Sequence, residues 1–333
     1  MTHSPAAQAN DLDALFAEMV PPEVLERLAR TAWAEDLGPR GLDLTSAALA
    51  RATGGAEASA RVAHARLVAR EACIVAGLPA ISTLARVFAP GVKIMTHARD
   101  AQDADRGDVL AELTGPETQL LALERTMLNL LSRLSGVATR TRAFADAIPP
   151  DARARVYDTR KTTPGLRELE KYAVRCGGGG SHRMGLFDAV LVKDNHLAGV
   201  PDDALPAIIE RIAREARALA APDRVLFVEV EVDRAEQFER LVGLPEGVID
   251  IVLLDNMSLA DMRRCAETRD RYAPRLQLEA SGGVTLETIA DIARTGVDRI
   301  SVGSLTHGAR SVDLALDFDA PEPHGASTQG ARS

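Results

Sequence analysis

At 333 residues, 46% of them hydrophobic, the chain can bury more than one ordinary core, so two domains, or one barrel with an accessory domain, are the starting expectation. Its formal charge of −9, from 48 acidic against 39 basic residues, argues against general nucleic-acid or anionic-membrane binding, both of which draw on a basic surface. Cys73, Cys176 and Cys265 stand apart with no CxxC pair, no basic region precedes an apolar run in MTHSPAAQANDLDALF, and no apolar stretch has membrane-spanning length, so the expectation is a cytoplasmic protein with free thiols.

Residues 1–10 and the tail after Pro323 are small and polar, and disorder is expected there. Pro22 to Leu37 reads as a helix, with Pro at its start and Val24, Leu25, Leu28, Ala32 and Trp33 returning near a 3.6-residue period; Trp33 is expected in the core. Strand-like pieces follow at Arg61 to Val75, Val92 to Thr96 and Val109 to Leu113, with a helix between them at Leu78 to Phe88. This front part reads as a small α+β domain, in which His64 and His97 are structural histidines. The longest helical pattern runs from Glu117 towards Ile148, with a buried stripe of Leu120, Leu123, Met127, Leu130, Leu131 and Leu134 and a break expected near Gly136. Arg125 leaves it on a different face from the leucines, to pair with Glu124 or Glu117 or to face a second subunit.

From about Arg153 the chain changes to short apolar runs separated by helices, a βαβ rhythm that implies parallel strands. The runs ARVYDTRK, DAVLVKDN, RVLFVEVE, IDIVLLDN, LQLEASGG and DRISVGS each end in polar or glycine residues: Arg160 and Lys161, Lys193, Glu231, Asp255, Ser281 to Gly283, and Gly303 with Ser304. In a parallel α/β barrel these carboxyl ends converge on one mouth, and an open doubly wound sheet makes a weaker version of the same prediction. No GxGxxG opens a βαβ unit and no GxxxxGK[ST] loop is present.

Arg160, Lys161, His182, Arg183 and Lys193 bracket the glycines 177–180 and together suit an anionic ligand, whereas Lys171 or Arg175 alone reads as a surface ion-pair partner. The glycine and hydroxyl endings ASGG and VGS leave backbone N–H groups for phosphate, or merely shape tight turns. Glu231 and Asp255 are hard oxygen donors suited to a magnesium ion that borrows further oxygens from a phosphorylated substrate. The combination suggests an anionic substrate reacting with a phosphorylated sugar as pyrophosphate departs. A Schiff-base aldolase barrel with Lys193 as nucleophile, and a non-catalytic binding protein, are the competing classes.

The segments ERTMLNLLSRLSGVAT, DTRKTTPGLRELEKYAVRCGGGGSHRMGLFDAVLVKDNH, VEVEV, IVLLDN, EASGG and ISVGSLTHGA, in this order, resemble the quinolinate phosphoribosyltransferase family over about Pro22 to Phe318. The resemblance implies an incomplete, TIM-like parallel α/β barrel with an N-terminal α+β open-faced sandwich domain. It implies a disordered extension over 1–20, the sandwich over 21–135, the barrel over 136–306, and a segment over 307–333 that returns to the N-terminal domain before a disordered tail. The implied reaction joins quinolinate to phosphoribosyl pyrophosphate and releases carbon dioxide and pyrophosphate, giving nicotinate mononucleotide for NAD biosynthesis. Carried over residue by residue, Arg160, His182, Arg183 and Lys193 match quinolinate contacts, and Arg125 matches an arginine that enters from the partner of a homodimer. Lys161, Glu231 and Asp255 match the phosphoribosyl pyrophosphate and Mg2+ positions, while Ser281, Gly282, Gly283, Gly303 and Ser304 match phosphate loops. Thr159 and Val302 join the substrate-binding set, and Lys161, Lys193, Glu231 and Asp255 are the expected catalytic residues. A related phosphoribosyltransferase acting on another ring is the nearest competitor, disfavoured by the double carboxylate grip of Arg160, Arg183 and Lys193.

Overall fold

The computed structural model describes residues 5–53 and 61–319, with side chains in the first helix described from residue 12 onward. Helix α1 (Pro5–Met19) leads into α2 (Pro22–Leu37), where Pro22 occupies the first helical position, a site where a missing N–H costs nothing. Within the extension expected to be disordered over 1–20, the described residues 5–19 are helical instead. Leu15, Phe16 and Met19 pack against the core, Val20 is buried, and Phe16 meets Tyr172 edge-on at 4.9 Å. Met1 to Ser4 and the tail after Pro323 lie outside the described residues.

The N-terminal sheet is antiparallel, in the order β12 (Leu314–Phe318), β1 (Val62–Ala69), β5 (Val109–Pro116), β3 (Lys93–Thr96), and β2 (Cys73–Ile74) pairs with β4 (Asp103–Ala104) in a separate two-stranded sheet. Alternation decides its buried face: Ala65, Leu67 and Ala69 of β1 are buried while Arg66 is exposed. Helix α4 (Ala80–Phe88) buries Ile81, Leu84, Ala85 and Phe88 and packs against α2 and α5 (Glu117–Asp146); α3 (Leu44–Thr53) lies earlier in the chain. Trp33 is partly buried against the core rather than enclosed by it. The last strand, β12, returns from the far end of the chain to pair with β1, Leu67 opposite Leu316.

The stripe of α5 is buried as its spacing requires, each large apolar side chain contributing about 1.5–3 kcal/mol relative to exposure. The helix does not break at Gly136. That residue is glycine because a Cβ there would stand 1.9 Å from the Arg310 carbonyl oxygen. One rigid helix therefore runs from the N-terminal domain into the second domain, across the boundary expected at 135/136.

The second sheet is wholly parallel, in the order β6 (Arg155–Tyr157), β11 (Arg299–Ser301), β10 (Gln277–Ser281), β9 (Ile251–Asp255), β8 (Val228–Val232), β7 (Val190–Val192). Helices α6 (Arg167–Cys176), α7 (Leu205–Ala220), α8 (Ala235–Leu241), α9 (Leu259–Tyr272) and α10 (Ile289–Ala293) link successive strands, and α11 (Ser304–His307) follows β11. The sheet stays open between β6 and β7, which makes the barrel incomplete. Beyond β6, a parallel bridge joins Tyr157 to Gly180, with Gly180 N donating to Val156 O at 2.7 Å, so the glycine run continues the curve. No helix among the described residues is long and apolar enough to cross a membrane.

Candidate active site

Parallel partners point to the same side of a sheet, so the register alone gathers the strand ends. Glu231 lies opposite Leu253, and Asp255 opposite Ser281, which puts Glu231, Asp255 and Ser281 on one inner surface. They line a cavity of about 1110 Å³ together with Thr159, Arg160, Lys161, His182, Arg183, Lys193, Gly282, Gly283, Val302, Gly303 and Ser304. Every sequence-derived site residue is there except Arg125. That side chain is exposed on α5, lines a separate cavity of about 270 Å³ with Asn129 and Asp313, and makes no ion pair among the described residues. Glu117, one partner considered for it, instead meets Arg61 at 3.6 Å.

The cationic side of the cavity is held by a buried scaffold. Asp158, directly after β6, accepts from His182 N at 2.8 Å and pairs with Lys171, which also donates to His182 O at 3.2 Å. Lys171 is fully buried, which corrects its reading as a surface ion-pair partner; only Arg175 of that pair is exposed. Removing one member of such a buried pair is costly because the other charge is stranded. His182 Nε2 stands 2.9 Å from Glu229 Oε2 and 3.4 Å from Glu279 Oε1. Arg299 Nε donates to Glu279 Oε2 at 2.6 Å, its guanidinium 3.8 Å from the Tyr157 ring centroid. Burial depresses the His182 pKa, but the two glutamates outweigh it and hold the imidazole at about 9. His182 Nδ1 accepts from Arg183 N at 2.8 Å, so a second ring proton comes at the expense of that bond.

Arg183 is buried, with Nη1 3.3 Å from Ala189 O. Burial and the nearby Arg160 guanidinium push its pKa down, and Arg160 Nε is a buried donor without a partner. Two desolvated guanidinia side by side call for anionic oxygens. In the same cavity, Lys193 Nζ lies 2.5 Å from Glu231 Oε2, and Asp255 Oδ2 accepts from Asn256 Nδ2 at 2.7 Å.

Glycine is required at Gly282, which has φ +96° and where a Cβ would stand 2.0 Å from Asn256 Oδ1; a Cβ on Gly303 would stand 2.8 Å from Lys161 Cδ, so that lysine side chain packs directly over the glycine. Backbone therefore approaches the cavity where side chains cannot.

Sequence reasoning missed Glu229, Glu279, Arg140, Phe144 and His307. The first two were legible: in VEVEV and QLEAS the glutamate two places before Glu231 and the one two places before Ser281 share the inward face of those residues. Arg140 and Phe144 come from α5, and no local pattern ties that helix to the strand ends.

Models of the quinolinate phosphoribosyl transferase N-terminal and C-terminal domains match residues 43–135 and 137–317. The chain is 41% identical over 293 residues to the nicotinate-nucleotide pyrophosphorylase [carboxylating] of Mycobacterium leprae, covering 87% of this chain and 95% of that protein. It is 39% identical over 254 residues to the probable enzyme of the same name from Bacillus subtilis, covering 76% and 83%. The solved nicotinate-nucleotide pyrophosphorylase of Francisella tularensis superimposes with a TM-score of 0.77 at 34% identity, covering 90% of this chain and 98% of that one.

Proposed function

The chain belongs to the quinolinate phosphoribosyltransferase family, and from that premise we propose how its own residues carry the reaction. The enzyme transfers phosphoribosyl from phosphoribosyl pyrophosphate to quinolinate with decarboxylation, yielding nicotinate mononucleotide, carbon dioxide and pyrophosphate in NAD biosynthesis. The observation that carries the residue assignment is the single cavity that gathers Arg160, Arg183 and Lys193 with Glu231 and Asp255.

Quinolinate has carboxylates on adjacent ring carbons. Arg160 and Arg183 offer planar forks and Lys193 a point charge, so the pair of carboxylates is gripped while the ring nitrogen is left aimed at the anomeric carbon. Attack by that nitrogen forms the C–N bond as the C–O bond to pyrophosphate breaks. The positive pyridinium nitrogen then stabilises the electron pair left on the adjacent ring carbon as its carboxylate departs as carbon dioxide, and a proton takes up that pair. The cations that orient that carboxylate must not hold it more tightly in the ground state than in the transition state.

Glu231 and Asp255 suit a magnesium ion: both are carboxylates on the cavity wall, each with one oxygen engaged, by Lys193 and by Asn256, and the other without a hydrogen-bond partner among the described residues. Glu231 and Asp255 would hold that ion with phosphoribosyl pyrophosphate, where it would offset the charge of the departing pyrophosphate. Lys161, exposed at the end of β6, faces the same anions, and the backbones of Gly282, Gly283, Gly303 and Ser304 offer N–H donors to phosphate. His182, held by Asp158 and its glutamates, orients the carboxylates beside Arg183.

The active form in this reading is a cytoplasmic homodimer in which Arg125 completes the partner's cradle, supported by its exposure and lack of an ion pair among the described residues. The buried free cysteines suit that compartment. The Schiff-base alternative is disfavoured because the Lys193 side chain is 44% exposed and engaged with a carboxylate, unlike a desolvated nucleophilic amine. Incubating purified protein with quinolinate, phosphoribosyl pyrophosphate and magnesium tests the whole assignment. Equimolar carbon dioxide and nicotinate mononucleotide are expected; absence of both overturns it.

A further inference from the structure

Arg133 and Arg140 stand two turns apart on α5, and both reach the segment that follows β11. Arg133 is fully committed to structure there. Its guanidinium donates to Glu170 Oε1 at 2.8 and 3.0 Å, and to the carbonyls of Thr306 and Ala309 at 2.6 Å each. Arg140 is bound differently. Nε donates to Ser304 O at 2.6 Å and Nη2 donates to Ser304 Oγ at 3.1 Å, while the guanidinium lies 5.2 Å from the Phe144 ring centroid. Among the described residues no carboxylate pairs with Arg140, and Nη1 has no hydrogen-bond partner. A half-buried cation on a cavity wall without a counter-ion is an electrostatic vacancy for an anion.

Its neighbours say which kind. Because Ser304 Oγ already accepts from Arg140, the hydroxyl proton is left to be donated elsewhere. Gly303 beside it is flanked by Lys161 Cδ and His307 Nε2, which would stand 2.8 and 3.4 Å from a Cβ at that position. Donors from three directions thus surround one glycine. This corner lies at the end of β11, two strands from Asp255 on β9 and three from Glu231 on β8, or roughly 10–14 Å at ordinary strand spacing. An anion here is too far from those carboxylates to be the pyrophosphate held beside them.

We infer that Arg140 is a further substrate-binding residue, gripping the 5-phosphate monoester of phosphoribosyl pyrophosphate, and of the mononucleotide product, from the helix side of the site. The inference rests on reading the cavity as the phosphoribosyl pyrophosphate site. It assigns to α5 a direct contact with substrate in its own subunit.

The test is calorimetric binding to the full chain and to Arg140→Gln and Arg140→Lys, with ribose 5-phosphate, magnesium pyrophosphate and quinolinate as separate probes. Arg140→Gln should weaken ribose 5-phosphate on the order of 10- to 100-fold, the loss expected for a charge-assisted hydrogen bond. Pyrophosphate and quinolinate should change by less than about threefold, since they sit at other strand ends. Arg140→Lys should fall between, keeping the charge but losing the fork onto Ser304. Unchanged ribose 5-phosphate binding in Arg140→Gln overturns the inference, and so does an equal loss for all three probes, which would mark a purely structural role. Should the glutamine variant fail to fold, an intermediate ribose 5-phosphate loss in Arg140→Lys, with the other probes unmoved, supports the inference and uniform behaviour overturns it. If the parent protein binds quinolinate but not ribose 5-phosphate, the reading of the cavity fails first and the assignment of Arg140 falls with it.

Discussion

Lys193 Nζ and Glu231 Oε2 lie 2.5 Å apart at neighbouring strand ends, so in the free protein one arm of the quinolinate cradle is closed on one arm of the carboxylate pair. The two half-sites therefore compete for Lys193. Glu231→Gln removes the competing charge and a ligand for the metal at once. Calorimetry should show magnesium phosphoribosyl pyrophosphate binding weakened by about tenfold or more, while quinolinate alone binds at least as tightly as to the parent. An equal loss for both ligands would count against the assignment, as would full turnover in excess chelator.

Substrate choice follows from the desolvated guanidinia. Nicotinate lacks one of the two carboxylates, so it would leave Arg160 or Arg183 unpaired and should have a kcat/KM lower by at least about two orders of magnitude. Arg183→Lys should raise the quinolinate KM by roughly tenfold or more, because a point charge cannot reproduce two parallel hydrogen bonds. Comparable turnover of the two acids would sink the double-carboxylate grip.

How much of this was readable in advance divides along one physical line. The parallel strands and their polar endings were legible because each run carries its own period and its own terminal residues, and the register then aligned Glu231, Asp255 and Ser281. Lys171 was misread because its burial depends on Asp158, thirteen residues away and itself buried directly after β6, which charge alone does not reveal. Gly136 was misread for the same reason: its meaning lies in the Arg310 carbonyl far along the chain. Arg140 was invisible because a helix before the barrel gives no local sign that it crosses the barrel's mouth.

The His182 cluster predicts a pH dependence of stability. A group whose folded pKa is raised, here from 6.5 to about 9 by Glu229 and Glu279 against the opposing effect of burial, stabilises fully below its unfolded pKa and loses that contribution as pH rises through the folded value. Glu229, whose carboxyl burial pushes up, acts with the same sign. Stability should fall by roughly 1–3 kcal/mol between about pH 6.5 and 9.5. Denaturant unfolding across that window measures it, and His182→Gln should flatten much of the slope. A parent protein whose stability is constant or rises over the same window would remove the ionic role of the cluster.

The last prediction concerns Arg125, the one sequence-derived site residue outside the cavity. It is exposed on α5, and the rigid course of that helix past Gly136 gives no means of turning it towards its own strand ends. A two-fold dimer would carry the same helix to the partner's mouth, because an isologous interface brings each subunit's face to the other. Arg125→Ala and Lys161→Ala homodimers should each be nearly inactive, since every site in either lacks a cation. In a mixed dimer both defects meet in one site and the other site is intact. Random exchange makes half the dimers mixed, so activity should return to about a quarter of the parent's. If mass spectrometry shows exchange and activity stays absent, Arg125 serves its own subunit or structure alone, and the shared site is wrong.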